Sequence, residues 1–469
     1  MEEFEFSGWW WLPDSGDNKV PGIMTFSKEE GIRLKLIGSF KEPTQLGSGD
    51  RDEYSLILGF TDEGKLVTLF DAIPFETRLT LPGLATAQRF WARVGCTGAH
   101  FLQPEQARFH KASLEYTHLA DWVGRSGFQP EYGTEGGSLT KYTLAYTFPD
   151  EVKAAMPDGE VCVTYAFESG GDLLREVNLR QSPSMRVDLS HDLTFDQWQT
   201  AFVLPLRNLL TLATTRPNAV TRISMYSEDT TVSTSKGDRE VPIELFYQQV
   251  WHENVEPKRL FPHDMLFTLH DVAQDFDGVV GNWLRVAKEL DSVCNLFFSV
   301  RYLPGLYSEH QFLNTVQAAE SYHRRRITNE VLAAGEHEKR VASILERTPG
   351  EHREWLGQRL VYSNEPSLRD RLNDLLDTTQ EVLSPLVQDR KRFVQNVVDT
   401  RNYFTHYDPD LRSKAAPGSK LYSLTQTLSF MVEACLLNEL GLGPERRREL
   451  FQRNQRYAYA VSHKGQTGS

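Results

Sequence analysis

The spacing of the apolar residues changes near Pro262, and this change limits what the chain can fold into. Before it, runs of β-branched and aromatic residues flank short Gly-containing turns, as in residues 22–37 and 54–70. This pattern is typical of β-hairpins. After it, apolar residues recur every three or four positions, as in helices packed into a bundle. The sequence therefore predicts an α+β multidomain protein, with a β-rich region over residues 1–260 and an all-α helical bundle over residues 261–469.

Two features interrupt the β-rich region. Phe195 and Trp198 stand at helical spacing after two candidate N-caps, Asp192 and Thr194, which predicts one helix among the strands. Pro205 should kink that helix, because proline has no N–H to donate. A stretch rich in Gly and Ser begins at residue 134, so a division into two subdomains near residues 134–150 stays open. Further strands are expected over residues 139–148, 160–167, 220–225 and 241–251.

The charge is unevenly distributed along the chain. The 469 residues include 51 basic and 64 acidic side chains, a net of −13, which disfavours a protein that holds nucleic acid through overall charge. Residues 1–262 hold 25 basic and 37 acidic side chains, a net of −12. Residues 320–469 hold 23 and 20, a net of +3. The acidity thus belongs to the first half of the chain.

Cellular location follows from three simple features. The four cysteines lie far apart and form no C-x-x-C pair, which fits a reducing compartment. The apolar runs fall short of the ~18 residues that span a bilayer. No basic segment precedes the apolar residues near the N-terminus, so a secretory signal is not expected. These features predict a cytoplasmic protein with no membrane partner.

Several well-known site motifs are missing from the sequence. There is no H-E-x-x-H, no G-x-x-x-x-G-K-[ST], no G-x-S-x-G and no EF-hand loop. These absences disfavour zinc hydrolases, P-loop nucleotide hydrolases and α/β-hydrolases, and we expect neither a metal site nor a cofactor. A glycosidase carboxylate pair leaves little trace in sequence, so a carbohydrate-active β-domain that uses Trp9, Trp10 and Trp11 remains an alternative. An aromatic core strand is the simpler interpretation of those tryptophans.

The remaining candidate is an arginine followed five positions later by a histidine. The chain contains three such pairs: Arg186 with His191, Arg347 with His352, and Arg401 with His406. The first two do not fall in a helical pattern. The third follows an apolar helical stripe and precedes Asp408-Pro409, which disfavours continued helix. It is therefore expected at the C-terminal end of a core helix, where the helix dipole alone would also favour cations.

The segment from Arg401 to His406 resembles the R-(polar)-x-x-x-H signature of HEPN ribonucleases. The upstream helix, residues 312–325, is similar to the start of the HEPN domain of ApeA-type anti-phage proteins. The W-x-L-P opening at residues 10–13 and the hairpin G-x-T-x-x-G-K-x-V-T-L at residues 59–69 look like the N-terminal domain of the same proteins. The resemblance spans most of the chain in the expected order. It implies a C-terminal HEPN-like nuclease domain and an N-terminal sensing or regulatory region.

The resemblance makes His406 a proton-transfer catalyst and Arg401 a phosphate ligand. Such residues suit metal-free RNA cleavage, because imidazole transfers protons near neutral pH and guanidinium holds a phosphate bidentately. Asn402 is a third catalytic candidate, which could orient His406 or donate to a phosphate oxygen. Five residues of regular helix separate the two side chains of the pair by ~140°. They converge only if the helix unwinds at His406 or, as the resemblance implies, if a homodimer or higher oligomer completes the site.

Basic and polar residues near the pair are candidates for substrate binding. Arg390 is nearly in phase with Arg401 on one helix, and Lys391 is its neighbour. Further candidates come from the upstream helix, from the residue after the motif and from a basic triplet: Glu320, His323, Arg324, Arg325, Tyr407 and residues 446–448. For each cluster a solvated helix face is the simpler interpretation, and Glu320 and His323 could equally be polar contacts inside the bundle.

The sequence therefore predicts an endoribonuclease that acts in abortive anti-phage defence and is restrained by its N-terminal region. By family analogy the RNA partner is transfer RNA, and the activating partner is an unidentified phage-derived trigger. The alternative from another class is a HEPN-like module that binds RNA or a protein without cutting it.

Overall fold

The structure is a computed structural model that describes residues 1–40, 53–80, 85–234, 237–249, 258–303, 305–327 and 329–466. By its contacts, the chain divides into two compact units. The first comprises Met1–Leu260 and Thr268–Gly281, and the second comprises Phe261–Phe267 and Asn282–Ser469. The first unit is rich in strands and the second is helical, so the predicted fold class is confirmed.

The first unit is built mainly from antiparallel strands. They are β1 (Phe4–Trp11), β2 (Val20–Ser27), β3 (Gly31–Leu36), β4 (Tyr54–Thr61), β5 (Leu66–Thr80), β6 (Ala85–Thr97), β7 (Arg108–Tyr116), β8 (Phe128–Glu135), β9 (Ser138–Tyr146), β10 (Val152–Met156), β11 (Gly159–Gly170), β12 (Asn178–Thr194), β13 (Val220–Tyr226), β14 (Thr231–Thr234), β15 (Gly237–Glu240) and β16 (Ile243–Tyr247). The main sheet runs β10-β11-β12-β7-β13-β16-β6-β3-β2-β1-β4-β5, and β5 also pairs with β6. The strands β1 to β6 therefore close into a ring, and the other six extend the sheet from β6.

The predicted hairpins at residues 22–37 and 54–70 are confirmed as the pairs β2–β3 and β4–β5. Alternate residues of β2 are buried, which is the pattern of a half-buried strand. No unit boundary falls at residues 134–150, where the structure places the turn and second strand of the β8–β9 hairpin. The predicted strand over residues 241–251 is present as β16, and its last two residues lie outside the described residues.

The tryptophan run lies in β1 and mostly faces the core. Trp10 is fully buried and Trp11 nearly so, whereas Trp9 is 53% exposed. The Trp10 ring lies against Gly59, where a Cβ would come within 2.3 Å of it, so glycine is required there. The interpretation as an aromatic core strand fits this arrangement better than an exposed platform of three rings.

The predicted helix within the β-rich region is present. It consists of α2 (Phe195–Trp198), a π-helical turn (Gln199–Val203) and α3 (Leu204–Thr214), and the hydroxyl of Thr194 caps it by accepting from the Gln197 N–H at 3.4 Å. Pro205 has no N–H to donate to a carbonyl of the preceding turn. Where the sequence predicted a kink, the structure has the π-helical turn. The short helix α1 (Leu119–Val123) also belongs to this unit.

The remaining helices extend from residue 269 to residue 466. They are α4 (Leu269–Val272), α5 (Phe276–Glu289), α6 (Asp291–Tyr302), α7 (Ser308–Arg326), α8 (Ala334–Glu346), α9 (Gly350–Leu360), α10 (Leu368–Thr378), α11 (Gln380–Leu383), α12 (Arg390–His406), α13 (Gly418–Glu439), α14 (Pro444–Arg453) and α15 (Gln455–Gln466). The apolar stripes predicted from the sequence form the core, as with Leu372, Leu375 and Leu376 of α10. Within the described part of the chain, no helix has both the length and the apolar character needed to cross a membrane.

A buried ion-pair network holds three helices of the second unit together. Glu433 of α13 is fully buried and accepts hydrogen bonds from Arg301 of α6 and Arg456 of α15. Burial opposes ionisation of Glu433, but the charges of Arg456 and Arg301 outweigh it and lower the pKa of that carboxyl. Loss of the carboxylate would leave two guanidinium groups without their shared counter-charge.

Candidate active site

The third arginine–histidine pair lies at the C-terminal end of α12, as its sequence context indicates. Phe393, Val394 and Val397 bury one face of the helix against the bundle. The helix stays regular through His406 and ends at Tyr407, whose backbone is left-handed with φ of 51°. The other two pairs differ: one lies in strand β12, and the other spans the break between α8 and α9, with His352 inside α9, so the expectation that it is not helical is wrong in part.

Asn402 contacts one member of the pair, Arg401. The Arg401 guanidinium is half-buried and donates from Nη1 to Oδ1 of Asn402 at 3.2 Å. On a regular helix Asn402 lies ~40° from His406, whereas Arg401 lies ~140° away. The guanidinium is thus turned toward the face that carries His406. Because α12 does not unwind at His406, the first of the two routes to convergence expected from the sequence is absent.

His406 itself is exposed, and its side chain has no hydrogen-bond partner among the residues that the structure describes. An exposed imidazole and a half-buried guanidinium are each chemically suited to act on a phosphodiester that approaches from solvent. The arrangement also fits the simpler effect of the helix dipole, which favours cations at this end. Geometry within one chain therefore identifies the end of α12 as a candidate site.

Aromatic rings surround the end of α12. The Phe404 ring lies 6.3 Å from that of Phe312 on α7, which fixes the helix end against the bundle. The Tyr407 ring lies 5.6 Å from Tyr403 and 6.5 Å from Phe404, centroid to centroid, and Tyr407 is 64% exposed. Tyr407, predicted to bind substrate, is thus adjacent to His406 and open to solvent.

The segment after α12 folds back beside its last turns. The buried Thr400 hydroxyl accepts a hydrogen bond from the Ala416 N–H at 3.0 Å. A short 3₁₀ turn, Pro409–Leu411, also packs on α12. Arg412 and Lys414 are exposed residues of this segment. The sequence analysis did not select Arg412 and Lys414 as candidates, although basic residues recur at positions 412, 414 and 420.

The arginines predicted to bind substrate are engaged in ion pairs. Arg324 contacts Glu365 at 2.8 Å, and Arg390 donates two hydrogen bonds to Asp377, at 2.5 and 2.8 Å. Arg325 donates to the Glu289 carbonyl at 2.8 Å. These side chains remain accessible, but each would have to exchange a protein acceptor for a phosphate.

The same residues also lie far from His406 along their helices. Arg390 and Lys391 are 16 and 15 residues before His406, which is about 23–24 Å along α12. On α7, Phe312 is the residue whose ring contacts Phe404. Residue 320 lies eight residues beyond Phe312, which is about 12 Å along the helix axis, and residues 321–325 lie farther still. Glu320 is half-buried and Lys391 is exposed. Contacts from these residues to RNA remain a proposal, and they would involve parts of the strand away from the reacting phosphate.

His323 is a core residue rather than a surface ligand. It is fully buried, its Nε2 lies 2.9 Å from Oδ2 of Asp374, and its Nδ1 accepts from Nη1 of Arg371 at 3.2 Å. Burial lowers the pKa of Arg371, and the charge of Arg324 acts in the same direction. The interpretation of His323 as a polar contact inside the bundle is therefore the one that fits, because a side chain without exposed surface cannot contact RNA.

The basic triplet at residues 446–448 is also not a surface cluster. Arg447 is buried and pairs with Glu381 at 2.7 Å. It also donates to the Asn438 side chain. Both interpretations of the triplet, an RNA contact and a solvated helix face, require an exposed side chain, so neither holds for Arg447, whereas Arg448 is exposed.

A cleft of about 1600 Å³ in the first unit is lined by Glu115, Arg180, Arg222 and Glu244, among other residues. Burial raises the pKa of Glu115, while Arg222 opposes that change. Among the described residues that line the cleft there is no tryptophan. The carbohydrate-active alternative requires carboxylates and tryptophans in one cleft, so it finds no support here.

Comparison with known proteins defines the class first. A helical region that carries the Arg401–His406 pair matches the Apea-like HEPN family over residues 313–446, which identifies a HEPN domain. The preceding region matches ApeA N-terminal domain 1 over residues 5–283, more than half of the chain. The chain belongs to the ApeA family, and the resemblance seen in the sequence is confirmed. No curated protein and no solved structure matches it.

Proposed function

We propose that this ApeA-family chain is a metal-independent endoribonuclease that acts in abortive anti-phage defence. HEPN-type ApeA domains suggest a nuclease-like function against phage. The observation that carries the finer proposal is the exposed His406 beside the Arg401–Asn402 contact, at the end of α12 and within the HEPN match. Transfer RNA is the first substrate candidate by family analogy.

The chemistry uses the RNA's own 2′-hydroxyl as nucleophile. His406 transfers a proton, either from that hydroxyl or to the leaving 5′-oxygen. Arg401 donates to the phosphoryl oxygens as negative charge develops on them, and Asn402 holds the guanidinium in position. The products are a 2′,3′-cyclic phosphate and a 5′-hydroxyl, so the displaced oxygen takes up the proton that the nucleophile loses.

The test is incubation of the purified protein with total RNA in the presence of EDTA. We expect cleavage that leaves 2′,3′-cyclic phosphate ends and falls by at least a hundredfold in His406→Ala and in Arg401→Ala, since each removes a proton-transfer or charge-stabilising group (on the order of 10²–10⁴). Arg347→Ala and His352→Ala are matched controls with the same spacing elsewhere in the chain, and they should retain activity. RNA that is bound but left intact would favour the non-cleaving alternative.

We also propose that the N-terminal region restrains the nuclease until a phage-derived trigger is present. The net charge of −12 in residues 1–262 supports this, because an acidic region disfavours access of RNA. Expression of the wild-type chain should then be tolerated without infection and toxic with it, while His406→Ala should be tolerated in both. Equal toxicity of the wild-type chain in uninfected and infected cells would contradict the restraint.

A further inference from the structure

The chain just beyond His406 carries exposed groups that the reaction itself does not use. We call Tyr407, Arg412, Lys414 and Lys420 the post-helix surface. The Thr400–Ala416 hydrogen bond fixes this segment beside the last turns of α12. Lys414 is two residues from Ala416, so their Cα atoms lie at most about 7.6 Å apart. The surface is therefore adjacent to Arg401, which follows Thr400 directly.

The cations of the post-helix surface are available for a ligand. Among the described residues, no carboxylate forms an ion pair with Arg412, Lys414 or Lys420, and all three are exposed. This distinguishes them from Arg324 and Arg390, which already have carboxylate partners.

The surrounding charge agrees with an anionic ligand. The nearby carboxylates are Asp399, Asp408 and Asp410; Asp399 accepts from Gln395, and Asp408 accepts from the Asp410 N–H. Residues 399–420 hold four cations and three carboxylates, a net of +1 in a chain of net −13.

The Tyr407 ring adds an apolar face to this charged surface. It is 64% exposed, and Tyr403 and Phe404 support it from the helix side. Its backbone is held in the left-handed region, which a side chain other than glycine adopts at a cost. An exposed ring on the same segment as exposed cations resembles the arrangement by which proteins bind single strands, with bases stacked on rings and phosphates held by cations.

We propose that the post-helix surface binds a single-stranded segment of RNA next to the reacting phosphate. Tyr407 stacks on one base and acts as a positioning residue. Arg412, Lys414 and Lys420 hold phosphates of the same strand. The inference rests on the proposed ribonuclease function, and it adds that the substrate must be unpaired at this point, since a base within a duplex cannot stack on the ring.

The test measures binding separately from cleavage. The full-length His406→Ala protein is titrated into a fluorescently labelled, unstructured RNA, and anisotropy gives the affinity over a range of salt concentrations. Tyr407→Ala should weaken binding about tenfold or more, whereas Tyr407→Phe, which keeps the ring, should bind like its parent. Tyr407→Ala should leave the affinity for duplex RNA unchanged.

The cations are tested by salt dependence. Replacing Arg412, Lys414 and Lys420 together by alanine should lower the slope of log affinity against log salt by about 2, from ~0.7 for each lost phosphate contact on a single strand. The matched control replaces the exposed Lys339, Arg340 and Arg347, and should leave the slope as in the parent. Circular dichroism confirms that each variant is folded.

The outcomes separate this inference from the proposed function. Binding that depends on Tyr407 and the three cations, in a protein that never cleaves RNA, would retain the surface and refute the nuclease. Cleavage by wild type together with unchanged affinity in Tyr407→Ala, or an unchanged slope in the triple variant, would refute the surface and retain the nuclease. Absence of RNA binding by the His406→Ala parent would also refute the surface.

Discussion

At the scale of single residues, the candidate site depends on how one side chain is held. Arg401 lies on a different face of α12 from His406, and the 3.2 Å contact with Asn402 turns its guanidinium toward the histidine. A guanidinium that is already oriented loses less conformational freedom when it binds a phosphate. We therefore propose that Asn402 positions Arg401, a role different from the two that the sequence suggested, orienting His406 and donating to a phosphate oxygen.

We predict that Asn402→Ala lowers kcat for RNA cleavage about fivefold, equivalent to about 1 kcal/mol for one partly exposed hydrogen bond to a charged group. The exposed Asn396, one and a half turns earlier on α12, provides the control: Asn396→Ala should cleave at the wild-type rate. The comparison is made by single-turnover cleavage of one labelled RNA. A wild-type rate for Asn402→Ala would show that Arg401 is positioned by something else.

At the scale of secondary-structure elements, polar pairs between helices fix the bundle that presents α12. The His323–Asp374 and His323–Arg371 contacts join α7 to α10, and Arg390 joins α12 to α10 through Asp377. Glu433 joins α13 to α6 and α15. A buried charge that loses its partner costs much more than an exposed one, so these pairs constrain how the helices pack.

We predict that Glu433→Gln destabilises the helical unit by about 3–5 kcal/mol at neutral pH, because Arg301 and Arg456 lose their shared counter-charge. Urea unfolding followed by far-ultraviolet circular dichroism measures the change. Glu338→Gln, which replaces an exposed carboxylate of α8, should change the free energy of unfolding by less than about 0.5 kcal/mol.

The same substitution has a pH signature. The pKa of Glu433 is lowered in the folded state, so its contribution is complete above the ordinary carboxyl pKa of about 4.3 and is lost as the pH falls through the lower folded value. Wild type should therefore lose stability more steeply than Glu433→Gln on acidification below about pH 4.3. Parallel curves for the two proteins would contradict the ionised state assigned to Glu433.

At the scale of the whole molecule, the question is whether one chain holds a complete site. Regular helix through His406 keeps the pair ~140° apart around α12, so we propose that Arg401 of one chain acts with His406 of another in a twofold dimer. Such a dimer contains two composite sites. Each composite site needs an intact Arg401 from one chain and an intact His406 from the other.

We predict that mixing inactive Arg401→Ala and inactive His406→Ala chains restores cleavage to about one quarter of the wild-type rate. Random exchange makes about half of the dimers mixed, and each mixed dimer has one intact site of two. His406→Ala mixed with the double variant Arg401→Ala/His406→Ala should stay inactive. If verified mixed dimers do not cleave RNA, the two residues do not act across chains.

Much of the fold was predictable because its signals are local. The hairpins follow from alternation and Gly turns, and α12 follows from its apolar period and from Asp408-Pro409 at its end. The π-helical turn before Pro205 follows from one missing N–H. The burial of Arg447 and His323 was not predictable in the same way, because their partners Glu381 and Asp374 are 66 and 51 residues away in sequence.

The sequence by itself determined the β-to-α order of the chain, the end of α12 and the position of the arginine–histidine pair, since neighbouring residues set these features through backbone preference and periodic burial. Only the tertiary structure decided which basic side chains form ion pairs with carboxylates. Arg324 and Arg390 pair with carboxylates of other helices or loops of the bundle, whereas Arg412, Lys414 and Lys420 pair with no carboxylate in the described part of the chain. Ion pairing depends on distances of a few ångströms between segments far apart in the chain, and only packing fixes those distances.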